Sequence, residues 1–166
     1  VLLREAEKGN YRVLFWPNLG GSEGVVFVNQ TWEGDAEIEK WLRNRDFRIA
    51  LSLGINREEI NESIFLGIGK PRAFVALPDN PYYPGSEYER KYAIRDLEKS
   101  NAMLDAIGLD KRDSEGYRLR TDNGKRLIIN LSVPSQAMVD FEAIAELLVI
   151  QWKVIGIYIH LSIEER

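Results

Sequence analysis

The sequence predicts an α/β fold, or α+β in the alternative, in which helices flank a mixed sheet. Residues 126–163 read as strand, helix and strand, the pattern of two parallel strands joined by a right-handed crossover. The Asp122-Asn123-Gly124 turn between two predicted strands, 117–121 and 126–133, predicts an antiparallel hairpin. Residues 46–71 predict two helices that meet at one sharp corner.

The first third of the chain is expected to hold short elements. Residues 2–8 are expected to be the last part of a helix. YRVLFW (11–16) has the composition of a strand. Residues 18–24 form a glycine-rich turn; a phosphate-binding loop is the alternative, but no Gly-Lys-Ser/Thr follows. VVFVNQT (25–31) is almost continuously apolar, which predicts a strand covered on both faces, and a helix is predicted over 36–45.

The predicted corner has its own start and stop signals. The helix before it is apolar on nearly every side and should be buried. Asn56 is the expected N-cap of the next helix, Glu59 should reach back to the Asn56 N–H, and Ile55 and Ile60 are spaced as a hydrophobic staple. Gly67, Gly69 and Pro71 then end the unit.

The rest of the chain alternates a long connection with regular elements. Residues 70–90 carry four prolines and several aromatic residues, which favours an irregular segment across the surface. Asp96 should cap a helix that ends at Gly108. A helix from Phe141 to Ile155 shows the best amphipathic spacing, and residues 157–163 alternate as a half-buried strand.

The composition limits the classes of function. The 166 residues are expected to form one domain over 1–166. The net charge is −4 without a basic block, so neither nucleic acid nor a polybasic membrane contact is expected. With no cysteine and one histidine, neither a metal site nor a cofactor is expected, and His160 should lie at the surface. Paired carboxylates could still serve a hydrolase, which is one alternative function.

Several strings, taken in order, resemble one family. They are VFVNQT (26–31), DFRIALSLGINREEI (46–60), FLGIGKP (65–71), DLEKSNAMLDAIGL (96–109), LIINLS (127–132) and GIYIHLSI (156–163). Together they resemble the larger C-terminal lobe of the family 5 extracytoplasmic solute-binding proteins, which serve peptide and nickel ABC importers. The resemblance covers nearly the whole chain and implies a periplasmic-binding-protein-like lobe. Ser100 and Asn101 stand where relatives often carry a small residue, and we expect this to be a surface change.

The resemblance also implies what a complete receptor would add. Family members have a second lobe and, beyond the last strand, a segment with Trp and Asp residues that holds the amino end of a bound peptide. Neither lies between Val1 and Arg166, so we expect one lobe of a two-lobed receptor, either an excised piece or a processed product. The implied protein is a non-enzymatic monomer outside the cytoplasmic membrane that passes its solute to a membrane permease.

Candidate ligand contacts follow from where strands end. Ligands of open α/β sheets bind beyond the carboxyl ends of strands, near helix N-termini. Two such ends carry amides, hydroxyls and one aromatic ring: Asn29, Gln30, Thr31 and Trp32, and Ser135, Gln136 and Met138. Ordinary strand-end chemistry is the alternative, with Ser135 as a helix cap and Trp32 in the core. A peptide is the preferred solute and an oligosaccharide the alternative; a ligand-sensing lobe of a regulator is a further alternative function.

Overall fold

A computed structural model describes residues 2–14, 21–135 and 139–165. Its helices and strands, in chain order, are α1 (Leu2–Glu5), α2 (Ala36–Arg43), α3 (Arg45–Gly54), α4 (Arg57–Phe65), α5 (Ser86–Arg90), α6 (Leu97–Ala106), β1 (Ile128–Pro134), α7 (Phe141–Val154) and β2 (Tyr158–Glu164). None of the helices within these described ranges is long and apolar enough to cross a lipid bilayer.

The strand–helix–strand prediction is confirmed at the C-terminal end. β1 and β2 pair in parallel, from Ile128 opposite Tyr158 to Pro134 opposite Glu164. Alternate residues of both strands point inward, and Ile129, Val133 and Ile159 are buried. α7 covers this inner face with Leu148 and Trp152, as expected for an amphipathic crossover helix. The opposite face of β1 is exposed.

The predicted turn at residues 122–124, which precedes β1, is confirmed. Leu119 and Arg126 form an antiparallel bridge, and the Arg120 N–H donates to the Lys125 carbonyl at 2.7 Å. Gly124 has a φ of 69°, which suits glycine at the turn. The first arm, predicted as a strand over 117–121, forms only isolated bridges.

One buried cluster joins the two halves of the chain. Its members come from α2, α3, α6, α7 and both strands, and the largest fully buried apolar side chains are those of Trp41, Phe47, Leu104, Leu109, Leu127, Ile155 and Ile157. Trp152 also donates its indole N–H to the Leu51 carbonyl at 2.8 Å. Burial of each such side chain contributes on the order of 2 kcal/mol.

The corner between α3 and α4 is confirmed, with one difference in its bonding. Asn56 caps α4 by accepting from the Glu59 N–H at 3.2 Å. Glu59 does not return the bond within the described structure. Instead, Gln151 of α7 accepts from the Asn56 N–H and donates to the Glu59 carboxylate, both at 2.9 Å. A side chain from a distant helix thus completes the cap and ties the corner to α7.

A buried arginine, Arg118, forms hydrogen bonds at the C-terminal end of α7. Arg118 is fully buried and donates to the Ile155 carbonyl at 2.8 Å and to Asp105 Oδ1 at 2.5 Å. It also donates to the Leu109 carbonyl and, at 2.8 Å, to Asn101 Oδ1. Burying a guanidinium is costly unless its donors are bonded, and these partners satisfy it.

The strand prediction for residues 25–31 is wrong. The segment forms no strand, and Phe27 is 80% exposed. No backbone pairing partner for it lies within the described residues, and β-propensity stabilises a strand only where a neighbouring strand and burial are supplied. Residues 11–14 of the earlier predicted strand are also irregular, whereas 15–16 and residues 18–20 of the glycine-rich turn lie outside the described residues.

Smaller differences have local causes. The helix predicted over 36–45 ends at Arg43, because Asn44 turns the chain and accepts from the Asp46 and Phe47 N–H groups. Ser100 is buried rather than on the surface, because its hydroxyl donates to the Ala50 carbonyl at 2.8 Å where α6 packs on α3. His160 is exposed, as predicted.

Candidate solute-binding surface

The carboxyl ends of β1 and β2 lie side by side. Pro134 is opposite Glu164, and the Ser135 N–H extends the pairing by donating to the Glu164 carbonyl at 2.9 Å. α7 begins shortly afterwards, with Asp140 as its cap accepting from the Ala143 N–H at 3.0 Å. Ser135 is therefore not the cap of α7, and its hydroxyl makes no hydrogen bond within the described part of the chain. Gln136 and Met138 lie outside the described residues.

The other predicted group sits against α2. Asn29 Oδ1 accepts from both the backbone N–H and the hydroxyl of Thr31, each at 3.0 Å, which closes a short turn. Arg43, the last residue of α2, donates to the Gln30 carbonyl at 2.8 Å. The Asn29 side-chain oxygen and the Thr31 hydroxyl thus bond to each other, while Arg43 of α2 bonds to the Gln30 backbone.

Trp32 lies in a different environment from Ser135. It is half-buried against the core and lines an open pocket of about 420 Å³, whose other walls are Asp35, Ile38, Arg120, Lys125, Arg126, Ile128 and Asn130. β1 contributes its first half to this pocket and runs away from it. At about 3.3 Å per residue, Asn130 and Ser135 are roughly 16 Å apart along the strand. The structure therefore does not bring Trp32 and Ser135 together.

The pocket contains a rigid charge cluster. Arg120 donates to Asp35 at 2.7 and 2.9 Å and to Asp122 at 2.9 and 2.7 Å. These hydrogen bonds from Arg120 lower the pKa values of both carboxyls and raise the pKa of the arginine. Asp35 also caps α2 by accepting from the Glu37 and Ile38 N–H groups. The wall of the pocket is thereby fixed to the start of a helix.

A buried carboxylate supports this wall from behind. Glu37 accepts from Trp41 Nε1 at 2.9 Å and from the backbone N–H and hydroxyl of Thr121 at 2.9 and 2.6 Å. Burial alone would raise the pKa of Glu37, but the hydrogen bonds from Thr121 and Trp41 outweigh it and lower the pKa. Glu37 thus links α2 to the hairpin that carries Arg120.

Several of these residues were missed at the level of sequence. Arg118 and Arg120 alternate with Tyr117 and Leu119, and nothing in the sequence shows which arginine is buried. Asn130 looks like any outward residue of an alternating strand. The aspartates in the turns beside Arg120 and Arg126 indicate that these arginines form ion pairs, but the sequence does not show which aspartate pairs with which arginine.

Comparison with known proteins places this geometry in a family. Residues 4–166 match the profile described as bacterial extracellular solute-binding proteins, family 5 Middle. The chain belongs to this family.

No curated protein sequence matches it. The described residues hold no cluster of three or more His, Cys, Asp or Glu side chains able to bind a metal ion.

Solved structures agree with this assignment and give the α/β, periplasmic-binding-protein-like fold. The chain is similar to an oligopeptide-binding protein, OppA, with 35% identity and a TM-score of 0.81 over 99% of this chain and 25% of that one. It is also similar to AppA from Bacillus subtilis in complex with a nonapeptide, with 26% identity and a TM-score of 0.63 over 78% of this chain and 25% of that one.

A third neighbour binds a sugar. MelB of Agrobacterium fabrum, in complex with stachyose, is 28% identical with a TM-score of 0.57 over 77% of this chain and 19% of that one. The chain therefore spans about a quarter or less of the length of these relatives.

Proposed function

We propose that this family 5 chain is a ligand-binding lobe of the extracytoplasmic solute-binding protein of an ABC importer. The observation that carries the proposal is the 35% identity to an oligopeptide-binding protein across 99% of the chain. The receptor captures a small solute outside the membrane and hands it to a membrane permease. It acts as a monomer and as a binding protein rather than an enzyme.

The solute contacts assigned here are the carboxyl ends of β1 and β2. Ser135 stands at this edge with a hydroxyl that is free within the described structure, and Gln136 and Met138 follow it in the sequence. α7 begins shortly after Ser135, and the N–H groups of its first turn that Asp140 does not cap suit a carbonyl of the solute. Asn29, Gln30 and Thr31 form a second, separate group of proposed contacts beside α2, where Thr31 bonds to Asn29 and Arg43 bonds to the Gln30 carbonyl.

A peptide is the preferred solute class. Two of the similar structures are oligopeptide-binding proteins, and one of these holds a nonapeptide. A strand-end edge with a hydroxyl and helix N–H groups suits the repeated carbonyls of a peptide. An oligosaccharide is the second candidate, because MelB was solved with stachyose.

Capture requires a second wall. One lobe offers an open edge, and a second lobe that closes over it would bury the solute and exclude water. Differential affinity for the closed state then drives the closure, as in other hinged receptors.

A thermal-shift screen tests this assignment. The receptor that contains this chain is screened against peptides of two to nine residues and against neutral oligosaccharides, and the products are checked for intact solute. We expect peptides to raise the Tm and to be recovered uncleaved. Ser135→Trp should abolish the shift, whereas Ser132→Trp, on the exposed face of the same strand, should retain it. A peptide shift that survives Ser135→Trp would contradict the strand-end site, and recovered fragments would contradict a binding function.

A further inference from the structure

The hairpin turn before β1 holds the one Asn-Gly pair of the sequence, Asn123 and Gly124. Both residues are exposed. Deamidation of an asparagine begins when the backbone nitrogen of the next residue attacks the side-chain amide carbon, and a glycine hinders this attack least because it has no side chain. A Cβ built on Gly124 would have no described neighbour within 4 Å apart from the adjoining residues of the chain. The turn therefore has room for this ring closure.

The Asn123 side chain is folded back over the peptide group that would attack it. Its Oδ1 accepts from the Lys125 N–H at 2.9 Å. This bond closes a ring that contains both the amide carbon of Asn123 and the backbone nitrogen of Gly124, so the two reacting atoms are held together. The same N–H stabilises the negative charge that develops on Oδ1 during the attack. The leaving nitrogen, Asn123 Nδ2, is oriented by donating to Asp122 Oδ2 at 3.3 Å.

One hydrogen bond opposes the reaction. The Gly124 N–H donates to the Arg120 carbonyl at 3.2 Å, and it must be released before its nitrogen can attack. This bond is long for an N–H donor and lies in an exposed turn, so it opens without unfolding of the core. The shorter bond across the turn, from the Arg120 N–H to the Lys125 carbonyl at 2.7 Å, does not involve the reacting atoms. Local opening of the turn therefore limits the rate.

We infer that Asn123 is a site of spontaneous deamidation, with water as the only co-reactant. The Gly124 nitrogen forms a bond to the amide carbon of Asn123, the bond from that carbon to Nδ2 breaks, and ammonia leaves with the proton that Gly124 gives up. Water then opens the resulting cyclic imide at either of its two carbonyls, which yields aspartate or isoaspartate. This modification goes beyond the proposed function, because it uses none of the residues assigned to solute binding.

The isoaspartate product changes the turn itself. Its main chain runs through the former side chain, which adds one carbon between Arg120 and Lys125. The bond that joins these two residues is thereby weakened, and with it the position from which Arg120 pairs with Asp35 at the start of α2. The product also places a new negative charge beside Asp122. Conversion of Asn123 to isoaspartate should therefore loosen the contact between the hairpin and α2.

Peptide mapping by mass spectrometry tests the inference on the folded chain, incubated in mildly alkaline buffer and sampled over time. We expect Asn123 to convert before every other asparagine. Its rate should lie within about tenfold of the rate in the same chain unfolded in urea, since one net hydrogen bond must open. Asn123→Gln should abolish this conversion. The matched control is Asn130→Gln, an exposed residue of β1 that precedes Leu131, and it should leave the conversion of Asn123 unchanged.

Three results would overturn the inference. They are earlier conversion of another asparagine, a folded-state rate more than about tenfold below the rate in urea, and an isoaspartate form that melts at the same Tm as the parent. Asn123 is exposed and its side chain bonds only within the turn, so Asn123→Gln is expected to fold. An unchanged near-ultraviolet circular dichroism signal from the buried Trp41 and Trp152 confirms this.

Discussion

Two phenylalanines show how differently the two regions of this chain are built. Phe47 is fully buried in α3, whereas Phe27 is 80% exposed in an irregular segment. Both belong to apolar stretches that predict burial. Phe47 lies on a helix, whose backbone bonds are internal, so it needs only a surface to pack against. Phe27 lies on a segment whose backbone requires a second strand, and none is supplied by the described residues. A helix predicted from a local sequence pattern can therefore form by itself, whereas a predicted strand forms only if another strand pairs with it.

The largest expected effect on stability comes from truncating the two phenylalanines to alanine. Phe47→Ala should lower the free energy of unfolding by about 3–5 kcal/mol, because it removes a core ring and leaves a cavity. Phe27→Ala should cost less than about 1 kcal/mol, since Phe27 is largely exposed and the truncation removes an edge-to-face contact with Phe74, whose ring centroid lies 6.2 Å away. Urea unfolding of both variants measures the difference. Equal losses would mean that residues 25–31 pack as tightly as α3.

The second prediction concerns the buried arginine. Arg118→Ala should lower the free energy of unfolding by about 3 kcal/mol, because buried carbonyls of Ile155 and Leu109 lose their donor. Arg112, its exposed neighbour, donates to the Gly116 carbonyl and to Asn101 and reaches the Ile155 carbonyl only at 3.5 Å, so Arg112→Ala should cost under about 1 kcal/mol. Chemical denaturation of the two variants provides the test, and a loss at Arg118 no greater than that at Arg112 would contradict its role in fastening α7.

These residues also show how far the sequence allows prediction. Asn56, Asp96 and Asp140 all cap helices, and Asn56 and Asp96 were predicted because a cap is recognised from a few adjacent residues. The partners of Arg118 come from α6, the loop after it and the end of α7, and no local pattern specifies that meeting. Trp32 and Ser135 were grouped because each follows a predicted strand, but residues 25–31 form no strand and the direction of β1 separates the two residues.

The third prediction is a pH dependence at Glu37. Its pKa is lowered in the folded state, so its carboxylate contributes stability above the unfolded pKa of about 4.3, and this is lost as pH falls through the lower folded value. Glu37→Gln should cost about 1–2 kcal/mol at pH 7, since its bonds to Trp41 and Thr121 are weakened. The difference from the parent should shrink below pH of about 4.

Glu39→Gln serves as the control for this pH dependence. Glu39 pairs with Arg43 on the half-exposed face of α2, and such pairs contribute less than about 0.5 kcal/mol. Thermal melts of both variants at pH 7 and pH 3 separate the two. A gap for Glu37→Gln that does not change with pH would show that the lost stability is not that of an ionised carboxylate.

The smallest effect lies at the end of α4. Leu66 adopts a left-handed conformation with a φ of 54° and is largely exposed. Leu66→Gly relieves this backbone cost, offset in part by the greater entropy of unfolded glycine, so stability should stay equal or rise by up to about 1 kcal/mol. Ile68→Gly, whose φ is not positive, should give no gain. Calorimetric melting of the two glycine variants compares them, and a clear loss at Leu66 would mean that its side chain packs.

The central claim is that this lobe supplies one wall of a solute site. Calorimetric titration of a peptide that binds the receptor, carried out in parallel on this 166-residue chain, tests it most directly. We predict that the chain folds but binds the peptide at least about 100-fold more weakly than the receptor, because half of the burying surface is missing. Equal affinity for the two proteins would contradict the claim.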